Sequence, residues 1–316
     1  MLDRLSDAEA PPADALSEVL QDLRLADGTY GRCELTRPWG IDFPPQEQAR
    51  FHFVVSGAPW LLAPKRGWLE LSAGDVVLLP RGARHALSDR ARGRLKPLDE
   101  MPLEEIGERT YAMRSGGGGA PTVLVCCSVS FEQPAMHPLL EMMPPMILLR
   151  GGGTRDAVLP VLLDAMADEV LARRVGAATV MTRLADVVIT RVVRAWVESR
   201  DDTEGWLAAI RDPQIGRALA AIHRGPGEPW SVESLADVAR VSRSTFSERF
   251  TCLVGAPPAR YLARFRMHVA SGWLRNDNVT VAEAATRLGY QSEAAFSRAF
   301  KRFVGAPPGA VRRQGR

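Results

Sequence analysis

Hydrophobic residues follow two different spacings along the chain. Between Tyr30 and Asp89 they form short runs separated by glycine and proline, which is typical of β-strands. The expected strands are Phe51–Val55, Trp60–Leu62, Trp68–Leu71, Val76–Leu79 and, farther along, Thr122–Phe131. Short strands at this density predict a small antiparallel β-barrel that the last strand closes.

Elsewhere apolar residues recur every three or four positions, which predicts helices. A short helix is expected over residues 14–25, and two long helices over Arg155–Arg174 and Ala177–Glu198. The last of these places Leu184, Val187, Val188 and Trp196 on one face. We expect the long helices to form a dimerising hairpin; a spacer that only packs between domains is the alternative. The charged, glycine-rich residues 90–120 are expected to be irregular.

The C-terminal part contains one unit twice. The run Phe246–Phe250 returns as Phe296–Phe300, and Val-Gly-Ala-Pro-Pro follows soon after both copies. The expected helix caps are Ser231, Ser242, Thr280 together with Glu283, and Ser292. A continuous helix from Pro257 to about Leu274 joins the copies. This pattern predicts two helix-turn-helix units, each with a second helix that can enter a major groove of DNA.

The charge of the chain is divided unevenly. Residues 211–316 carry 17 Lys and Arg, 16 of them Arg, against 8 Asp and Glu, whereas residues 1–210 carry 23 against 29. A basic C-terminal third on an acidic remainder is typical of a module that binds a polyanion, and arginine suits phosphate and guanine. A solvated basic face is the alternative that charge alone leaves open.

The buried phenylalanines of each second helix determine which side chains face outward. The candidate base contacts are Arg243, Ser244, Ser247 and Glu248 in the first copy, and Glu293, Ala294, Ser297 and Arg298 in the second. The candidate phosphate contacts are Arg240, Lys301 and Arg302. For each of these residues the alternative is an exposed helix position without a role in binding.

Residues 212–313 resemble the DNA-binding domain of the AraC/XylS family of bacterial transcription regulators. The likeness is carried by Leu288–Tyr290, Phe296–Lys301, Gly305 and Pro308 of the second copy. It implies base recognition by Arg298. The first copy departs from the family pattern, because Ser244, Ser247 and Thr251 are small and polar where many members carry bulky or basic residues. The expected partners are double-stranded promoter DNA, RNA polymerase and a second copy of the chain.

Residues 74–85 read G-x5-P-x-G-x2-H and resemble the second motif of cupin barrels, which ends here in His85. The first cupin motif is degraded, because His52 stands alone where a metal cupin has a His-x-His pair followed by Glu. Two histidines fall short of the three ligands of a catalytic metal centre. We therefore predict no metal, no cofactor and no enzymatic activity; a metal-dependent cupin enzyme fused to a DNA-binding domain is the alternative.

With Pro38–Gly40 and His137–Leu140, the cupin likeness extends over residues 16–150 and resembles the sensor domain of a subclass of AraC-like regulators. It implies a small-molecule effector, with His52, His85 and Trp39 as candidate binding residues. For His52 and His85 the alternative to a metal ligand is a hydrogen-bonded histidine that lines the barrel, and for Trp39 the alternative is a core side chain. Cys33 and Cys126 lie in strands that could be neighbours, so a redox switch is an alternative to buried structural cysteines. Control by a bound regulatory protein is a further alternative.

The predicted fold class is α+β with several domains. Residues 1–150 form a cupin-like antiparallel β-barrel, residues 151–205 a helical linker, and residues 206–316 an all-α domain with two helix-turn-helix units. The sequence has no stretch of eighteen apolar residues and no signal-peptide pattern at its start. A cytoplasmic regulator whose sensor domain alters promoter binding is the function that these patterns predict.

Overall fold

The computed structural model describes residues 16, 17, 20, 23–131, 140, 143–151, 156–172, 174–199, 205–276 and 279–314. The chain forms two compact units. The sheet unit comprises Leu23–Pro134 with Met142–Arg200, and the helical unit contains Asp201–Arg316. Most of the helix expected over residues 14–25 lies outside the described residues, and its last residue, Leu25, begins a strand instead.

The sheet unit contains two sheets. Its strands are β1 Leu25–Thr36, β2 Gly40–Phe43, β3 Ala49–Ser56, β4 Trp60–Ala63, β5 Gly67–Glu70, β6 Val76–Leu79, β7 His85–Ser88, β8 Lys96–Pro97, β9 Leu103–Gly107, β10 Thr110–Gly116, β11 Pro121–Phe131 and β12 Ile147–Leu149. The larger sheet has the order β12-β6-β3-β11-β1-β10-β9, and the smaller one β5-β4-β7-β2-β8. The five predicted strands match observed strands to within about two residues.

The prediction of a closed, wholly antiparallel barrel was wrong. In the part of the chain that the structure describes, both sheets are open, with β12 and β9 at the ends of the larger sheet. Two pairs are parallel, β1 with β10 and β2 with β8. The alternation of apolar residues determines which face of a strand is buried, but not which edges pair. Closure was therefore beyond what the pattern could predict.

The prediction that residues 90–120 are irregular was also wrong. This segment contains β8, a 3-10 turn over Leu98–Glu100, β9 and β10. Strand β10 pairs with β1, and β9 adds an edge on which Glu104 and Glu105 are exposed. Charged side chains are common on edge strands, where they discourage pairing with other chains, so the charge of this segment was a poor sign of irregularity.

The core of the sheet unit lies between its two sheets. Buried members include Leu35, Val54, Val77 and Leu124 from the larger sheet, Ile41, Leu61 and Leu87 from the smaller one, and Met101 and Met146 from connections. Truncation of one of the fully buried leucines to alanine costs about 2–5 kcal/mol. Both sheets therefore depend on each other for their stability.

Helices α1 (Val158–Leu171) and α2 (Ala177–Glu198) pack on the larger sheet. The backbone N–H of Leu25 donates to Asp186 Oδ1 at 3.2 Å, and the Tyr30 hydroxyl donates to Thr182 Oγ1 at 3.0 Å. Because α2 faces the sheet, Val188 and Trp196 are buried. We expected the apolar face of α2 to be exposed in a single chain, and this expectation is wrong for Val188 and Trp196. Val187, on the same helix, is 47% exposed.

The helical unit consists of short helices around two aromatic cores. They are α3 Gly205–Arg211, α4 Ile215–Arg224, α5 Val232–Ala239, α6 Arg243–Val254, α7 Pro258–Asn276, α8 Val281–Arg287, α9 Glu293–Val304 and α10 Pro308–Gln314. Each predicted cap is present: the side chains of Ser231, Ser242, Thr280 and Ser292 accept the backbone N–H three residues later. Thr280 and Glu283 form the predicted capping box.

Candidate DNA interface and effector site

The first helix-turn-helix unit is formed by α5 and α6. The chain leaves α5 at Arg240, whose φ of 58° is left-handed, and Ser242 caps α6 two residues later. Phe246 and Phe250 are fully buried and hold α6 against its neighbours. The opposite face presents the predicted residues: Arg240, Arg243, Ser244 and Glu248 are exposed, and Ser247 is half-buried.

The second unit, α8 with α9, repeats this arrangement. Phe296 and Phe300 are fully buried with Leu288 and Val311, and Gly305 ends α9 in the left-handed region at φ 82°. The predicted residues again lie outward: Glu293, Ala294, Arg298, Lys301 and Arg302 are exposed, and Ser297 is half-buried. Each unit therefore presents an exposed, polar helix face opposite its buried phenylalanine pair.

The outward residues of the two copies differ in their contacts. In the first copy, Arg243 Nε lies 2.9 Å from Glu233 Oε1 of α5, and the Ser244 hydroxyl lies 3.1 Å from that of Ser242. No ion pair or hydrogen bond of the Arg298 side chain is seen within the described residues. The guanidinium of the second copy can therefore turn to a base without breaking an internal contact.

Two arginines that sequence reasoning missed connect distant segments of the helical unit. Arg249 of α6 donates to Gln214 Oε1 at 2.6 Å and to Asp212 Oδ2 at 2.5 Å. Arg266 of α7 donates to the carbonyl oxygens of Pro226 and Glu228, both at 2.7 Å. These partners are 35 to 40 residues away in sequence, and no local pattern could have indicated them.

In the sheet unit, the structure brings His52 and His85 together. Their Nε2 atoms lie 2.8 Å apart, and His85 Nδ1 lies 2.8 Å from the Ala83 carbonyl oxygen. The ring of Phe43 stacks on His85 at 4.8 Å. Since Nδ1 of His85 donates to a carbonyl, its Nε2 accepts, and His52 Nε2 must be the donor. This is a hydrogen-bonded pair, and it fits the alternative to metal ligation.

Burial keeps both imidazoles neutral. Desolvation lowers the pKa of His85 to about 4, and it lowers the pKa of His52 well below its ordinary value, with His85 and Arg50 adding to the effect. Within the described residues, no group of three or more His, Cys, Asp and Glu is arranged to hold a metal ion. His137, part of the cupin likeness, lies outside the described residues.

The two predicted redox residues lie on paired strands, β1 and β11. Cys33 Sγ is 3.9 Å from Cys126 Sγ, and Cys126 Sγ is 3.1 Å from His52 Nδ1. Both are free thiols. Two effects raise the pKa of Cys126 well above its ordinary value: the hydrogen bond with Cys33, which is the larger, and burial. The thiol form is therefore favoured, and it is the less reactive form.

A cavity of about 370 Å³ opens beside this cluster. Its wall includes Phe43 and Cys126, which contact His52, and Cys33, which contacts Cys126. Arg50, which sequence reasoning missed, also lies in this wall. Trp39 lies elsewhere: it borders a second cavity of about 300 Å³ beside Arg90, Arg94 and Lys96, and most of its surface is in the core. The three candidate effector residues therefore do not share one cavity wall.

Comparisons with known proteins agree with both units. Residues 14–198 match a family described as Cupin, and residues 235–314 match a family described as Helix-turn-helix domain. The chain is 30% identical to the HTH-type transcriptional regulator AlkR of Acinetobacter baylyi, across 95% of this chain and 99% of AlkR. It is 32% identical to a putative AraC-like transcription regulator of Streptomyces lividans, across 95% of this chain and 98% of the relative.

A solved structure also matches the helical unit. The DNA-binding domain of AdpA, in complex with a target DNA, is 34% identical and covers 33% of this chain and 92% of that domain, with a TM-score of 0.31. The two family matches and the full-length relatives define the class: a DNA-binding transcriptional regulator with a cupin-like domain. The chain belongs to the AraC-like family of HTH-type transcriptional regulators, which confirms the resemblance seen in the sequence.

No helix among the described residues is long and apolar enough to span a bilayer.

Proposed function

We propose that the protein binds promoter DNA through α6 and α9, and that a small molecule in the sheet unit changes this binding. The observation that supports DNA recognition most directly is the repeated geometry: two capped helices, each with a buried phenylalanine pair and a polar outer face. An effector needs only to favour one conformation of the regulator in order to alter its affinity for DNA.

Within this proposal, the outward residues have separate roles. Arg298 and Glu293 reach base edges in the second unit, with Ala294 and Ser297 beside them, and Arg243, Ser244, Ser247 and Glu248 contact the DNA in the first unit. Arg240, Lys301 and Arg302 bind phosphates and set the position of the protein. Arg243 must exchange its ion pair with Glu233 for DNA, so its net contribution is smaller than that of Arg298.

The proposed assembly is a homodimer that recruits RNA polymerase and catalyses no reaction. The exposed apolar side chains of α2 support a dimer: Val180 is 44% exposed and Val187 is 47% exposed, with the half-buried Leu184 between them on the same face. Pairing would double the number of DNA contacts. The polymerase contact is proposed because regulators of this class act at promoters.

A second candidate function is a response to oxidants through Cys33 and Cys126. The 3.9 Å separation of their sulfur atoms favours it. Cys33 lies opposite Leu124, and Cys126 opposite Gly31, so the two cysteines are diagonal neighbours. Diagonal Cα atoms in a sheet are about 7–8 Å apart, whereas disulfides need less than about 7 Å. A disulfide would require movement of β1 against β11, and the small-molecule function is therefore preferred.

The test uses the full chain and promoter fragments selected by genome-wide mapping of its binding sites. The double variant Arg243→Ala, Arg298→Ala should lose most of its affinity, because a proposed base contact is removed from each helix-turn-helix unit. The matched control, Arg84→Ala with Arg114→Ala, removes two similarly exposed arginines from the sheet unit and should bind as the wild type does. Equal losses in both variants would contradict the proposed interface.

A further inference from the structure

Arg50 is a buried cation that forms no ion pair with any residue that the structure describes. It lies on β3 with only 8% of its surface exposed, and its guanidinium carbon is 5.0 Å from the centre of the Phe43 ring. Its Nε atom has no hydrogen-bond partner among the described residues. Arginine stays protonated in proteins, and a buried charge is normally paired because its desolvation is costly. We therefore expect the buried guanidinium of Arg50 to pair with an anion.

The surroundings of Arg50 do not supply this anion. The titratable groups that face it are His52 on the same strand, His85 on β7 and Cys126 on β11, and all three are uncharged at neutral pH. Burial lowers the pKa of both histidines, and the hydrogen bond with Cys33 together with burial raises the pKa of Cys126. The nearby carboxylates have other partners in the structure: Glu34 binds Arg114, Asp42 binds Arg84, and Asp75 binds Arg150. Within the described residues, no carboxylate forms an ion pair with Arg50.

Arg50 is one of the residues that line the cavity of about 370 Å³. Much of the remaining wall is apolar: Phe43, Leu98, Leu103, Tyr111 and Met113. Leu103, on edge strand β9, is 48% exposed, which is unusual for leucine and places an apolar side chain beside the cavity. The volume is near the lower end of the range for small-molecule sites, about 300–1,000 Å³.

We propose that this cavity binds a small carboxylate with an apolar body, and that the carboxylate pairs with Arg50. Two carboxylate oxygens match the fork of a guanidinium, and one negative charge balances Arg50, the one cationic side chain among the described residues of this wall. The apolar body lies against Leu98, Leu103 and Met113. The proposal deepens the proposed function, because it gives the chemical class of the effector, but the binding site can be tested without DNA.

The experiment measures binding of two carboxylates to the full chain by calorimetry, each beside its neutral analogue. Octanoate is compared with octan-1-ol, and 1-naphthoate with 1-naphthalenemethanol. At least one carboxylate should bind about tenfold or more tightly than its analogue, because a charge-assisted pair is formed in a dry site. In Arg50→Met, which keeps an apolar stem of similar length, this preference should disappear.

A matched control variant is Arg32→Met, which removes an arginine of the same unit that is paired with Glu34. It should keep the preference for the carboxylate. Without ligand, Arg50→Met should unfold at the same or a higher temperature than the wild type, since an uncompensated buried charge has been removed. If Arg50→Met does not fold, Arg50→Lys is used: binding of the carboxylate should weaken severalfold and that of the alcohol should not change.

The proposal is overturned if neither carboxylate binds more tightly than its alcohol, or if the Arg50 variants keep the wild-type preference. The promoter assay separates this result from the proposed function. If a carboxylate binds through Arg50 but promoter affinity stays the same, the site stands and the proposed sensing fails. If promoter affinity responds to another effector while the carboxylates do not bind, the sensing stands and the Arg50 site is wrong.

Discussion

The Nε atom of Arg266, on the helix that joins the two helix-turn-helix units, donates a hydrogen bond to the carbonyl oxygen of Pro226 at 2.7 Å. A second bond runs from its Nη2 to the Glu228 carbonyl oxygen. Between these residues, Gly227 leaves no room for a Cβ atom, because the carbonyl oxygen of Arg287 lies against it. The loop of the first unit is thus held between α7 and the second unit, which fixes the two recognition helices relative to each other.

Gly227→Ala should therefore disturb the helical unit. The added methyl group meets the Arg287 backbone, and overpacking of this kind costs about 1–3 kcal/mol of unfolding free energy. Urea denaturation and promoter affinity measure the effect. Gly225→Ala is the control, since its methyl group would crowd only the flexible side chain of Glu228 and would lie at ordinary van der Waals distance from the backbone oxygen of Ala221. Equal stability and affinity in the two variants would show that the loop contact does not fix the units.

Arg298→Ala should weaken binding to the cognate site by roughly 1–3 kcal/mol and relax the preference at one base pair, as expected for loss of a bidentate guanine contact. Lys301→Ala serves as the comparison and should weaken binding to all sequences alike, because phosphates carry no base information. Both are measured on a panel of single-base variants of the promoter. A uniform loss across the panel for Arg298→Ala would make Arg298 a phosphate contact.

The histidine pair predicts a loss of stability in acid. The pKa of His85 is about 4 in the folded protein and about 6.5 in the unfolded chain. Between these two pH values the unfolded state binds a proton at His85 and the folded state does not. Stability should fall as pH decreases from 6.5 to 4, by about 1 kcal/mol per pH unit from this residue. His85→Gln should show a shallower decrease in urea unfolding over this range. An identical slope in both proteins would refute the assignment of a depressed pKa.

Val180→Glu with Val187→Glu should convert the protein from dimer to monomer. Both side chains are largely exposed in a single chain, so the substitutions leave the core intact but place two charges in the proposed interface. Sedimentation velocity measures the change. Val175→Glu, at a fully exposed position between α1 and α2, is the control and should remain dimeric. If the double variant is folded and still dimeric, the interface lies elsewhere.

The sequence by itself determined the parts of the protein that depend on local chemistry. The caps at Ser242 and Ser292, the buried phenylalanines and the outward position of Arg298 all follow from helical spacing and from the unsatisfied amides at helix starts. The strand positions followed from alternating apolar runs in the same way. These features involve residues a few positions apart, whose interactions are fixed once the element forms.

Only the tertiary structure decided which segments that are distant in sequence pack together, and which side chains they bury or pair. In the structure the sheets are open instead of closed into a barrel, and Trp196 is buried. His52 is hydrogen-bonded to His85, and Trp39 borders a different cavity. The structure also reveals Arg50 as a buried cation beside a cavity. A sequence pattern gives the face on which a side chain lies, but burial and charge pairing depend on which other elements cover that face.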